Sequence, residues 1–179
     1  MKKSVKRKPM RRHFHKALKG AKYGLQGMIF GSMDGVITTM GVLMGLFGAS
    51  QSKEVIIVGV LAAGIADSFA NATGFHVAEE SEMIHTRREI WKSTITTFIS
   101  TFIAVLLIVL PVIFIPNTLG IIVSGLLGCV LLTFLAFYVN KITGMSKHSC
   151  LLALEYVGLG VVVSLMAYGV GELVHFLFL

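Results

Sequence analysis

Five stretches of this chain are long and apolar enough to cross a bilayer, which leaves it few ways to fold. They run over residues 23–48, 55–77, 95–115, 119–139 and 151–173. A helix needs roughly 20 residues to cross about 30 Å of hydrocarbon. In lipid every backbone N–H and C=O must be satisfied within the protein, so such stretches are helices. Hydrophobic residues make up 55% of the chain, charged ones only 14%, and the mean hydropathy is +0.81, which excludes a soluble domain. The five runs leave no room for a second domain. The expectation is an all-α integral membrane protein, with a basic arm over 1–22 and a single five-helix membrane domain over 23–179. The connection 78–92 is polar and lacks Pro and Gly, so the second helix is expected to extend beyond the membrane to about residue 90.

Ten of the sixteen Lys and Arg residues lie between Lys2 and Lys22. With that end in the cytoplasm, Arg87, Arg88, Lys92, Lys141 and Lys147 also fall inside, against Lys53 alone outside. This bias predicts a cytoplasmic N-terminus and an outside C-terminus. Aromatic residues scarcely interleave with the basic ones, so the arm suits anionic lipid rather than nucleic acid. Met10, Phe14, Ala17 and Leu18 share a helical face, so part of the arm is expected along the membrane interface. It does not read as a cleavable signal, because the apolar run after it is too long and no small-residue cleavage site follows. The plasma membrane is the expected location, or a vacuolar-type membrane if the source is eukaryotic. Cys129 falls mid-helix and Cys150 near the inner face, so the two are not expected to pair, and no redox or zinc spacing exists.

Within the first run only Asp34 is charged, and Asp67 lies in the middle of the second. An ionisable side chain inside a membrane costs a few kcal/mol or more, and it marks an ion, proton or substrate path. Asp34 lies roughly 15 Å from the inner end of its helix, and Asp67 roughly 18 Å from the outer end of its own, which puts both near mid-depth. Gly27, Gly31, Asp34, Thr38, Gly41 and Gly45 recur at steps of four and three, and so share one face that a neighbouring backbone can approach closely. Asn71, one turn from Asp67, offers an amide carbonyl. Carboxylate and amide oxygens suit Mn²⁺, Fe²⁺ or Mg²⁺, and Met33, Met40 and Met44 could add thioethers that favour iron or manganese. Further along, Glu79, Glu82, His85 and Glu89 fall within about 120° of one another on a continuous helix. Glu82 and His85 have the spacing used by metal-binding bundles, so this cluster is a candidate cation-collecting mouth.

These residues point to a secondary transporter that carries divalent metal out of the cytosol, not to an enzyme. A membrane metal sensor or scaffold without flux is the alternative. An intramembrane aspartic protease would also use paired acids, but Met33-Asp34-Gly35 and Ala66-Asp67-Ser68 lack the motifs of that class.

The motifs also resemble a known family, the vacuolar iron transporters. Asp34-Gly35-Val36-Ile37-Thr38-Thr39, with Gly41 and Gly45, is similar to the D-G-[IV]-x-[ST]-T signature of its first helix. Ala66-Asp67-Ser68-Phe69-Ala70-Asn71-Ala72-Thr73-Gly74, continuing through Glu82, resembles its A-D-G-x-S-M-x-x-G stretch. Lys141-Ile142-Thr143-Gly144-Met145-Ser146 resembles its K-x-T-G-x-S loop, and Tyr168-Gly169-Val170-Gly171 its Y-G-[IV]-G. The resemblance implies a five-helix homodimer meeting through helix 1, with no resident cofactor, that exports Fe²⁺ or Mn²⁺ in exchange for protons. It assigns the metal-binding, proton-coupled acid to Asp34, and makes the glycine face the dimer seam. Two departures stand out. Asn71 occupies the place of a family methionine ligand, which hardens the site. The three-helix cytoplasmic metal-binding domain of many relatives is replaced by about ten residues, as in a short prokaryotic-type member, with Glu79, Glu82, His85 and Glu89 as its reduced remnant.

Overall fold

The computed structural model describes residues 10–50, 52–143 and 149–178, and side chains among them other than those of 10–23, 117 and 143. Five helices follow in order: α1 Met10–Ala49, α2 Lys53–Ser81, α3 Arg87–Phe114, α4 Asn117–Thr143 and α5 Ser149–Phe178. Each contains a stretch long and apolar enough to cross a membrane, and no strand occurs among the described residues. This is the multi-pass helical architecture expected from the hydropathy. Short connections make successive helices antiparallel. One end of the bundle, here the basic end, carries the start of α1, the α2–α3 turn and the α4–α5 connection; the far end carries the α1–α2 and α3–α4 turns.

α1 has 40 residues, about 60 Å of helix, twice the hydrocarbon thickness. Its basic segment from Met10 continues the membrane span without a break. The arm before Met10 and residues Gly144, Met145 and Ser146 of the Lys141 loop lie outside the described residues.

The second helix ends earlier than its polarity suggested. α2 stops at Ser81, Met83 takes a left-handed φ of 52°, and α3 begins at Arg87. A capping box causes the restart: the N–H and Oγ1 of Thr86 donate to Glu89 Oε2 at 2.9 and 2.7 Å. Thr86-Arg87-Arg88-Glu89 before an apolar run is a legible start signal. The continuous face expected for Glu79, Glu82, His85 and Glu89 therefore does not exist, because Glu89 belongs to the next helix.

α1 runs through the centre of the bundle. A Cβ on Gly27 would come within 2.5 Å of the Ser93 carbonyl oxygen on α3, and one on Gly31 within 2.5 Å of that of Thr97. Further along, a Cβ on Gly41 would lie 2.8 Å from Val163 and one on Gly48 2.6 Å from the Tyr168 carbonyl, both on α5. The first half of the glycine face thus packs on α3 and the second half on α5. Gly27 and Gly31 of the expected seam are thus internal, whereas Gly41 and Gly45 also line an open groove between α1 and α5. In lipid no hydrophobic drive pulls helices together, so close backbone approach supplies the attraction through dispersion. Opposite Gly27 and Gly31, α3 presents Ser93, Thr97 and Ser100, which are also small; their hydroxyls return to carbonyls of their own helix at 2.8–3.1 Å. The aliphatic core beyond them gathers Val36, Leu43, Ile56, Val105, Ile108 and Leu132. At the far end Lys53 Nζ donates to the Ile113 carbonyl at 2.9 Å, tying the start of α2 to the end of α3.

Candidate metal path

Asp67 stands fourteen residues from either end of α2, midway through that span. α1 lies beside it and brings Asp34 to the same level. The Asn71 side chain, one turn along α2, donates from Nδ2 to Asp34 Oδ2 in a short hydrogen bond. The Asp67 carboxyl interacts with both Asp34 and Asn71, while its Oδ2 is buried with no hydrogen-bond partner. The sequence expectation that the two acids meet at mid-depth is met, and the register 67/71 on α2 makes it possible. Asn71 departs from its expected part: its amide nitrogen, not its carbonyl, faces the carboxylate, because an oxygen acceptor needs a donor beside it.

Two acids and an amide form a small polar island in an apolar bundle. Side-by-side carboxylates in a low-dielectric interior need positive charge between them, a proton or a cation. Within this island the Asp67 Oδ2 oxygen is left without a hydrogen-bond donor, and an oxygen-seeking divalent cation would satisfy it.

The methionines fall elsewhere. Met40 is 4% exposed, and its sulfur packs 3.6 Å from where a Cβ on Gly160 would stand, on the α4–α5 side. Met33 and Met44 pack against the core from partly buried positions. Met33 and Met40 are seven residues apart and share a face, about 100–120° round from Asp34, so neither follows its carboxylate. Met40 is buried in the aliphatic core on the α4–α5 side.

At the basic end, Glu79 is 4% exposed and contacts His85 Nδ1 closely, while His85 Nε2 stands 3.7 Å from Glu82 Oε2. Glu89 is engaged with Thr86. His76, which carried no expectation, meets Thr94 Oγ1 at 2.8 Å and the edge of Trp91. Among the described residues no group of three or more His, Cys, Asp or Glu is placed to hold a metal ion. Two further buried polar atoms, Thr101 Oγ1 and Ser124 Oγ, escaped the sequence reading. Thr101 Oγ1 is buried without a partner, 2.8 Å from the Cβ position of Gly31; a hydroxyl in an apolar run gives no sign of which threonine will be orphaned.

Five helices of membrane-spanning length around a pair of mid-helix acids make this a multi-pass membrane protein. Residues 25–90 match the model of the VIT family, the vacuolar iron transporters. The match takes in α1 from residue 25, all of α2 and the start of α3, and with them Asp34, Asp67, Asn71 and the Glu79–Glu89 segment. The resemblance read from the motifs is thereby shown for the site-bearing part of the chain. No curated protein and no solved structure matches the chain.

Proposed function

We propose that the protein is a transporter of Fe²⁺ or Mn²⁺ that exports metal from the cytosol in exchange for protons. The observation that carries this reading is the meeting of Asp34 and Asp67 at mid-depth, with one carboxylate oxygen of Asp67 unpartnered. The VIT family match over the same residues supports metal as the cargo. Metal approaches from the basic end, which the charge bias assigns to the cytoplasm. It displaces protons from the paired acids, binds Asp34 and Asp67, and turns the Asn71 amide so that its carbonyl oxygen faces the ion. Protons retake the acids when metal leaves toward the far end. A carboxylate serves both cargoes because metal and proton compete for the same oxygens. A homodimer would place two such acid pairs in one membrane unit. The open groove beside Thr38, Val42 and Leu46 of α1, walled by Val163 and Val170 of α5, is the face we assign to the partner copy. The plasma membrane is the proposed location.

The test is flux into liposomes holding purified protein under an imposed pH gradient, with Fe²⁺ and Mn²⁺ assayed separately. Gradient-driven uptake that Asp34→Asn abolishes supports the exchange. Metal binding without flux would replace it with the sensor or scaffold reading.

A further inference from the structure

α3 and α4 pack closely at the far end, where a Cβ on Gly120 would come within 2.8 Å of the Ile115 carbonyl and 3.0 Å of that of Pro111. Nearer the basic end a groove of about 450 Å³ separates them, floored by Met28 and Val36 of α1. Ile103 and Leu107 form one wall, Phe134 and Tyr138 the other. Ile103 and Phe134 are exposed, so the groove opens sideways, where a membrane protein meets lipid tails. Its size is that of a ligand pocket rather than a packing defect.

Each wall ends in a lysine at the same end of the bundle. Lys92 precedes Ile103 by eleven residues and Lys141 follows Phe134 by seven, so each lies within about 20° of its wall's face. Lys92 is about 16 Å below Ile103 and Lys141 about 10 Å below Phe134. The Lys92 Nζ stands 3.7 Å from the Cβ position of Gly24, one turn below Met28, so its ammonium lies at the foot of the groove. An apolar slot with cationic groups at its interfacial end fits one molecule well: a phospholipid with an anionic headgroup. A second copy in the same membrane orientation would bring its own basic end against these lysines, which disfavours it as occupant.

We propose that the α3–α4 groove is a binding site for an anionic phospholipid, one acyl chain lying against Ile103 and Phe134 and the phosphate held by Lys92 and Lys141. The site rests on the membrane reading of the fold and is independent of what the acids carry. Metal flux and lipid binding can therefore fail separately.

The chain has a single tryptophan, Trp91. The double variant Trp91→Phe/Phe134→Trp moves that reporter into the groove. It is reconstituted in phosphatidylcholine vesicles containing rising fractions of phosphatidylglycerol or phosphatidylcholine with brominated acyl chains, and fluorescence quenching is read. The expected result is half-maximal quenching at roughly fivefold lower mole fraction of the brominated phosphatidylglycerol, a preference erased by adding Lys92→Gln and Lys141→Gln. Equal quenching by both lipids would leave only unselective boundary lipid and overturn the site, as would a preference that survives loss of both lysines. Quenching by neither lipid would mean that protein fills the groove. Should the reporter variant fail to fold, native mass spectrometry of the unsubstituted protein from mixed vesicles decides. Retention of phosphatidylglycerol over phosphatidylcholine supports the site, and equal retention overturns it.

Discussion

Asp67 and Glu79 lie twelve residues apart on α2, yet their surroundings ask opposite things of a carboxylate. Glu79 is buried at the basic end and meets a histidine, so its charge can be answered within the chain. Asp67 meets a second acid and an amide, and one of its oxygens is left with no donor. An ionised group that is paired can serve a structural role, whereas paired acids that lack a counter-charge need something from outside. The contrast separates a centre suited to a moving cation from a pair that fastens a turn. Negative residues alone would not have told them apart.

The largest effect expected from breaking this comparison lies at the centre. Asp34→Asn or Asp67→Asn should lower metal flux in liposomes by about 100-fold or more, since removing a ligand should cost more than the 10–100-fold typical of outer-shell changes. Wild-type thermal stability in either variant would show that the loss is functional. Gly31→Leu comes next, because its side chain would be driven into the α3 backbone. Overpacking of this kind costs about 1–3 kcal/mol or more, and should appear as a lower melting temperature and loss of the monodisperse peak in size-exclusion chromatography. Asn71→Met sharpens the picture of the centre: a thioether should raise the ratio of Fe²⁺ or Mn²⁺ flux to Mg²⁺ flux, and an unchanged ratio would mean that residue 71 does not touch the ion. Glu79→Gln should lower initial uptake by only a few-fold and leave the dependence on Asp34 intact. A loss as deep as that of Asp34→Asn would erase the distinction drawn here. The smallest change is Thr86→Ala, which removes one side of the capping box and should cost about 1 kcal/mol, read by thermal unfolding, with flux unaltered.

Much of this could be read along the chain. Five spans and the mid-depth acids follow from hydropathy and helical rise, which are local properties. The break at residues 82–86 was equally readable, since Thr86 and Glu89 stand at capping-box spacing; polarity without Pro or Gly was the weaker signal. The angle of Met33 and Met40 to Asp34 was readable as well, since it follows from helical spacing alone. The partner of the glycine face could not be read. Spacing shows that something approaches Gly31 and Gly41 closely, but it is the same for a helix of the chain or of a second copy.

By itself the sequence determined the class of protein, the number of spans and the depth of its two acids, because bilayer thickness converts residue count directly into position. Only tertiary structure decided that Asn71 donates to Asp34, that one Asp67 oxygen is orphaned, that Glu79 is answered by His85, and that α1 runs between α3 and α5. Those outcomes depend on the angle about each helix axis and on which helices become neighbours. Both are set by side-chain packing between distant segments, which no local pattern encodes.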